Sequence, residues 1–246
     1  MAVYYTDPGN IANDDLFIEG EEARHIVSVM RLKSGETITV VDGCGNAYLT
    51  ELAKTTARRV NGRIISRRRY AGEPRVHVTV AASLSTGYKF DEVVVRGTEL
   101  GAAAFIPIIS DKSKVKLDDG RRRQTKINRW RQVAVAAMKQ SGRSVLPEIH
   151  SVTEFAALFG ADFSRARKLL FDPVRAESDL GRIDLGAGEK SFILIVGPES
   201  GFTHEEIALA RENGARIVTL GRRILRTENA SPTALAILMF LLGEFS

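Results

Sequence analysis

Cysteine is all but absent from this 246-residue chain. The lone Cys44 excludes an internal disulfide, and the four histidines, at 25, 77, 150 and 204, show no metal-type spacing with it, so no metal site is expected. His25, His77 and His150 read as structural or solvent-facing, and His204 as a surface residue of a first helical turn. No apolar run approaches the roughly 20 residues that a membrane-spanning helix needs. The segment Met1-Ala2-Val3-Tyr4-Tyr5-Thr6-Asp7-Pro8 lacks the basic and apolar blocks of a secretory signal. There is no internal repeat and no low-complexity tract beyond arginine triplets. Also missing is any Gly-Lys-Ser/Thr ending of the kind that grips nucleotide phosphates. These absences predict a cytoplasmic protein with no membrane partner.

A hydrophobic content of 44% and a charged content of 26% are those of a globular protein with ample material for a core. The net charge of +5 conceals strong segregation. Lys54 to Arg69 holds seven basic residues and no acidic one; Lys112 to Arg143 holds eleven basic residues against Asp118 and Asp119. The rest of the chain is therefore net acidic. Most basic runs are solvated faces. Two of them in an acidic background favour a polyanion, because each phosphate neutralised releases counterions.

Two regions are expected, 1–72 and 73–246. The first reads as a small β-barrel. Thr37–Val41 alternates, Asp42-Gly43-Cys44-Gly45-Asn46 is a turn, and Tyr48–Leu52 returns. One short helix is predicted over Glu21–Met30, with Ala23, Ile26, Val27 and Met30 on its inner face. Ala71-Gly72-Glu73-Pro74 marks the break. Beyond it strands (77–82, 104–109, 168–171, 191–196, 216–220) alternate with helices (89–100, 122–139, 204–213, 232–242). That alternation predicts an α/β fold with a parallel sheet covered on both faces. Trp130 can stack a base, but its helical spacing with Val133, Ala134 and Ala137 favours the core.

The last quarter carries the chemistry. Strand 191–196 runs into Gly197-Pro198-Glu199-Ser200-Gly201-Phe202, and strand 216–220 into Gly221-Arg222-Arg223-Ile224-Leu225-Arg226-Thr227-Glu228-Asn229-Ala230. Ligands in open α/β sheets bind outside the carboxyl ends of strands. Thr203 and Glu206 form a capping box, which sets the first loop at a helix N-terminus. Glu199 would repel a phosphate and suits a ligand bearing positive charge. Gly186-Ala187-Gly188 precedes its strand and is a poor dinucleotide fingerprint. Ser231-Pro232 is expected to open the final helix, as cap and first residue. That helix is apolar all round, so either the protein interior or a partner subunit covers it.

Gly197-Pro198-Glu199-x-Gly201 followed by Leu220-Gly221-x-Arg223-Ile224-Leu225-Arg226-Thr227-Glu228-x-Ala230 resembles the SPOUT class of methyltransferases. More narrowly it resembles the ribosomal small-subunit methyltransferase E family. His25-x-x-x-Val29-Met30-Arg31, Gly35-Glu36, Asp42-Gly43-x-Gly45, Thr98-Glu99-Leu100-Gly101, Ile106-Pro107 and Gln140-Ser141-Gly142-Arg143 extend the likeness over nearly the whole chain. The resemblance implies an N-terminal PUA-like barrel, a C-terminal α/β domain with a trefoil knot, and a homodimer formed through that domain. It implies S-adenosylmethionine as cofactor and methylation of ring nitrogen 3 of a uridine in 16S rRNA, on naked RNA or the assembled small subunit. By position it implies cofactor contacts from Leu170, Gly197, Glu199, Gly201, Leu220, Gly221, Ile224, Leu225 and Arg226. Ser200, Asn229, Arg96 and Lys112 depart from the family pattern; Ser200 matters if its position needs a positive φ.

For catalysis, Arg226 is the expected stabiliser of charge on the uridine imide. Glu199 and Glu228 are candidate proton acceptors, with loop bracing as the alternative. RNA contacts are expected from Arg31, Arg67, Arg68 and Arg69 in the barrel, and from Arg121, Arg122, Arg123, Lys139 and Arg143 beyond it. Three other readings stay open: methylation of a tRNA ribose 2′-hydroxyl on the same fold, a non-catalytic RNA-binding assembly factor, and a phosphate-binding nucleotide enzyme. The last is disfavoured by Glu199 and the missing lysine.

Overall fold

Asp42 organises a tight turn in the first part of the chain. Its Oδ1 accepts the main-chain N–H of Cys44 at 2.8 Å and of Asn46 at 3.1 Å, while Gly43 and Gly45 take φ of 74° and 95°. The turn joins strands β4 (Thr37–Val41) and β5 (Asn46–Thr55), the latter longer than the expected 48–52, in antiparallel register with Val41 opposite Ala47. The computed structural model describes residues 2–245 other than 86, 88, 114, 116–118, 161, 162, 164 and 187. Lys114, Lys116 and Asp118 of the second basic run, and Ala187, thus lie outside the described residues.

The chain divides into two units. The first comprises residues 1–73 and 135–146. Its six-stranded sheet runs β1-β4-β5-β6-β3-β2, where β1 is Val3–Tyr5, β2 Ile11–Ala12, β3 Asp15–Glu19 and β6 Arg59–Arg69. Most of the basic run 54–69 is therefore one edge-to-edge strand, buried at Val60, Gly62 and Ile64 and exposed from Ile65 onward. Tyr4, Leu16, Ile18, Ile26, Ile38, Val40, Leu52 and Val60 form the core of this unit.

The helix expected over 21–30 is shorter. α1 covers Gly20–Arg24 and passes into a π-helical turn, His25–Val29, closed by the Met30 N–H on the His25 carbonyl at 2.9 Å. The wider turn keeps Ala23 and Ile26 inside but turns Met30 outward, 44% exposed, against expectation.

The break falls at Glu73/Pro74, one residue past the expected boundary; the return of 135–146 to the first unit was not foreseen. Glu73 explains it. One carboxylate oxygen takes Arg143 Nε at 3.1 Å and Nη2 at 2.7 Å, and the other takes the N–H groups of Ser144 at 2.8 Å and Val145 at 2.9 Å.

The second unit, residues 74–134 and 147–246, carries the parallel sheet. Its strands are β7 (His77–Ser83), β8 (Ala104–Ile109), β9 (Glu148–Ile149), β10 (Thr153–Glu154), β11 (Arg167–Phe171), β12 (Ser178–Asp179), β13 (Ser191–Val196) and β14 (Arg216–Thr219). The order is β10-β8-β7-β13-β11-β14-β12, with β9 also on β8, and every recorded pairing is parallel. Near-continuous burial along β7, β8, β11 and β13 is the mark of a sheet covered on both faces. Helices α2 (Lys89–Glu99), α3 (Gly120–Ser141), α4 (His204–Glu212) and α5 (Thr227–Leu241) fall near their predicted places.

Two expectations about side chains in these helices have clear outcomes. Trp130 is core: 2% exposed, its ring centroid 4.5 Å from that of Phe90 and its Nε1 donating to Asp91 at 3.1 Å. α5 starts five residues before Pro232, so Ser231-Pro232 does not open it. Arg226 is the N-cap, its carbonyl accepting the Ala230 N–H at 2.7 Å, and Ser231 Oγ donates back to the Thr227 carbonyl at 2.9 Å. Pro232 sits in the second turn, where its missing N–H costs one helical bond, to the Glu228 carbonyl. Among the described residues no helix is long and apolar enough to cross a membrane.

Candidate functional site

Strand β11 lies between β13 and β14, with Phe171 opposite both Val196 and Val218. Three strand ends therefore stop side by side, and the loops leaving them face a common space. The first loop is 197–202. Its turn is closed by the Gly201 N–H on the Pro198 carbonyl at 2.8 Å, with Gly201 at φ 70°. The expected capping box is present: Thr203 Oγ1 accepts the Glu206 N–H at 3.1 Å, and Glu206 Oε2 takes the Thr203 N–H at 2.8 Å. Ser200 is not among the positive-φ residues, so replacing a glycine there costs no backbone strain.

The second loop, 219–226, is braced by Thr219, whose Oγ1 donates to the Gly221 carbonyl at 3.0 Å. Thr227 Oγ1 donates to the Gly197 carbonyl at 2.9 Å and so ties the second loop to the first. The third loop, Asp172-Pro173-Val174-Arg175, was missed by sequence reasoning. Asp172 is 3% exposed; its Oδ1 accepts the Val174 and Arg175 N–H groups, both at 2.9 Å, and its Oδ2 takes Arg175 Nη1 at 3.1 Å. Only the strand order shows that this turn belongs to the site.

The three loops enclose a cavity of about 290 Å³. Phe171, Val174, Val196, Val218, Leu220 and Leu225 supply apolar wall, and Asp172, Glu199 and Ser200 are among its polar groups. Of the residues expected at a ligand, Gly197, Glu199, Gly201, Leu220, Ile224 and Leu225 line it. Leu170 does not: it is fully buried in the core beneath, because alternate residues of a strand face opposite sides and its neighbour Phe171 takes the cavity face. Gly221, Arg226 and Glu228 are not in the wall either. Arg226 is exposed at the start of α5. Arg223 and Ile224 are exposed on the rim.

Lys89, also unforeseen, is bonded to Glu199 and lies 3.9 Å from Glu228. Both carboxylates are thus charge partners of one ammonium group. Asn229 Oδ1 accepts from Arg96 Nη1 at 3.1 Å, so two of the departing residues bond to each other.

The expected RNA contacts divide by exposure. Arg31, Arg68, Arg69, Arg121 and Arg122 are exposed and Arg123 is half-buried. Arg67 is exposed but engages the Asn13 carbonyl and Asp14. Lys139 is bonded to Glu22. Arg143 is 3% exposed and bound to Glu73, so its role is to hold the first unit together and not to meet RNA.

Comparison with known proteins agrees with this architecture. Residues 72–239 match the family of RNA methyltransferase domains, and residues 18–65 match the RNA methyltransferase PUA domain. The ribosomal RNA small subunit methyltransferase E of Bacillus subtilis is 31% identical over 229 residues, covering 91% of this chain and 89% of its own length. The Synechocystis protein of that name is 31% identical, covering 96% of this chain and 76% of its own length. A crystal structure of the Neisseria gonorrhoeae methyltransferase E bound to S-adenosyl methionine superimposes with a TM-score of 0.89 at 31% identity, covering all of both chains. The class is that of the RNA methyltransferases with a PUA domain. Within it, the chain belongs to the ribosomal RNA small subunit methyltransferase E family.

Proposed function

We propose that this protein uses S-adenosylmethionine to methylate ring nitrogen 3 of a uridine in 16S rRNA of the small ribosomal subunit. The observation that carries the proposal is the cavity at the joined carboxyl ends of β13, β11 and β14. Its donor set fits the cofactor. Apolar side chains and loop backbone suit an adenine ring. Glu199 suits a positive end of the molecule, and Lys112 and Arg223 suit its carboxylate. When bound, the cofactor supplies an electrophilic methyl group on a sulfonium; the work of the protein is positioning and charge stabilisation.

The RNA is met by exposed arginines. Arg121, Arg122 and Arg123 crowd the first turn of α3, which holds no acidic residue. Asp119, just before the helix, accepts the Arg121 N–H at 2.8 Å and lies 3.8 Å from Arg122 Nε, which leaves the cluster net basic and suited to phosphate. Arg31, Arg68 and Arg69 serve the PUA-like unit. A second copy of the chain covers the outer face of α5, where Phe240 is 70% and Leu241 40% exposed, with Phe245 also exposed just beyond the helix. By the family resemblance the second unit carries a trefoil knot, and the enzyme works in the cytoplasm.

The test is transfer of isotopically labelled methyl from S-adenosylmethionine to small-subunit RNA, followed by nucleoside analysis. N3-methyluridine carrying the label is the expected product. Label on a ribose, on tRNA only, or nowhere would overturn the proposal.

A further inference from the structure

A second cavity of about 230 Å³ adjoins the first. Lys112, Pro198, Glu199 and Ser200 line both; Leu84, Ser85 and Lys89 belong to the second alone. Its character differs from that of the first. Two ammonium groups, Lys89 and Lys112, face a small space that shares one carboxylate with its neighbour.

Both cations are held in place. Lys112 Nζ donates to the carbonyls of Phe202 at 3.1 Å and Ser200 at 3.4 Å, and Ser200 Oγ donates to the Lys112 carbonyl at 3.3 Å. The residue before it is anchored too, since Glu206 Oε1 accepts the Asp111 N–H at 3.0 Å. Lys89, the first residue of α2, is bonded to Glu199 from the loop after β13 and lies beside Glu228 of α5. Glu228 Oε2 is buried and has no hydrogen-bond partner among the described residues. On its own helix the nearby acids are engaged elsewhere, Asp91 by Arg129 at 2.7 Å and Glu92 by Arg96 at 3.1 Å. Among the described residues, the charged groups around Lys89 in this cavity are Glu199, Glu228 and Lys112.

A uracil presents a carbonyl, the N3–H and a second carbonyl along one edge. N3 is a poor nucleophile until its proton leaves, and the resulting charge then spreads over both oxygens. A fixed cation beside that edge stabilises the charge as it forms.

We propose that the second cavity receives the target uracil and that Lys89 is a catalytic residue that donates to a carbonyl oxygen of the imide anion. The inference rests on the methyl-transfer reading. In the step, the N3–H bond breaks and its proton passes to water. The N3 electron pair forms the bond to the methyl carbon, and the methyl–sulfur bond breaks with its pair kept by sulfur. Glu199 and Glu228 act by positioning Lys89.

The test uses the full chain with small-subunit RNA carrying either uridine or 5-fluorouridine, whose imide ionises more readily, at the methylated position. Lys89→Met should lower kcat on the order of a hundredfold. Its Kd for S-adenosylmethionine, measured by calorimetry, should stay within roughly twofold of wild type. The rise of kcat with pH should move to higher pH in Lys89→Met. 5-Fluorouridine should recover roughly tenfold of the loss. Lys89→Arg should keep most of the turnover, since the cation remains. A Lys89→Met enzyme of near-normal kcat, an equal loss on both RNAs, or a lost cofactor affinity would each overturn the inference. A wild-type enzyme that transfers no methyl to uridine would instead overturn the reading beneath it.

Discussion

Gly197→Ala tests how the first loop is built. Gly197 has an ordinary negative-side backbone, so the substitution meets no strain in φ. What it meets is the ring of Phe202: an added Cβ would lie 2.8 Å from Cε2, 3.0 Å from Cζ and 3.1 Å from Cδ2. Ordinary contact begins near 3.4 Å, so ring and loop must separate by about half an ångström or more. The ring has little room to yield. Phe202 is 1% exposed, and its centroid lies 5.0 Å from that of Phe155. Overpacking of this kind costs about 1–3 kcal/mol, more than the few tenths to one that a Gly→Ala change returns through the unfolded chain. For a chain of this size that is a fall in Tm of roughly 2–10 °C. The displaced loop carries the Gly197 carbonyl that receives Thr227 and the wall around Glu199, so affinity for S-adenosylmethionine should fall roughly tenfold or more. Phe202→Leu added to Gly197→Ala should restore much of both. Calorimetric titration and a thermal melt read the two effects. Unchanged melting and unchanged affinity in Gly197→Ala would refute the packing argument.

Further outcomes follow from other parts of the molecule. Glu73→Ala removes a buried carboxylate bound to Arg143, Ser144 and Val145, and should cost about 3–5 kcal/mol in urea unfolding; a loss below about 1 kcal/mol would contradict the clamp. Replacing Arg67, Arg68 and Arg69 together by Gln should weaken RNA binding and flatten its salt dependence; an unchanged slope would remove them from the interface. Cys44 is exposed, yet partial desolvation, with help from Asp42 and Asp7, raises its thiol above its ordinary range. A raised value means less thiolate at neutral pH, so alkylation by iodoacetamide should be slow at pH 8 and accelerate only at higher pH than for a free thiol; fast alkylation at pH 7 would refute it.

Local patterns were legible in the sequence, and distant pairings were not. The continuous apolar runs of β13 and the alternation of β4 gave their ends to the residue, because burial on two faces or one writes itself into the side chains. The capping box at Thr203 and Glu206 and the paired glycine loops are equally local. The loop at Asp172 escaped notice because its place beside the other two depends on β11 lying between β13 and β14, and nothing near residue 172 encodes that order. Lys89 escaped for the same reason: its partner Glu199 is 110 positions away. Leu170 was expected at the ligand, whereas its neighbour Phe171 takes the cavity face, because adjacent strand residues point to opposite sides. Pro232 misled because proline most often opens a helix, whereas here the five residues before it are already helical. Arg143 looked like part of a basic surface, yet a buried acid, Glu73, claims it.

The central claim is that the loops after β11, β13 and β14 together hold the methyl donor. A crystal structure of this protein soaked with S-adenosylmethionine tests it most directly. The account predicts the ligand against residues 172–175, 197–201 and 218–225, with its methyl group directed toward the cavity that contains Lys89. A ligand bound elsewhere, or one whose methyl points away from that cavity, would contradict it.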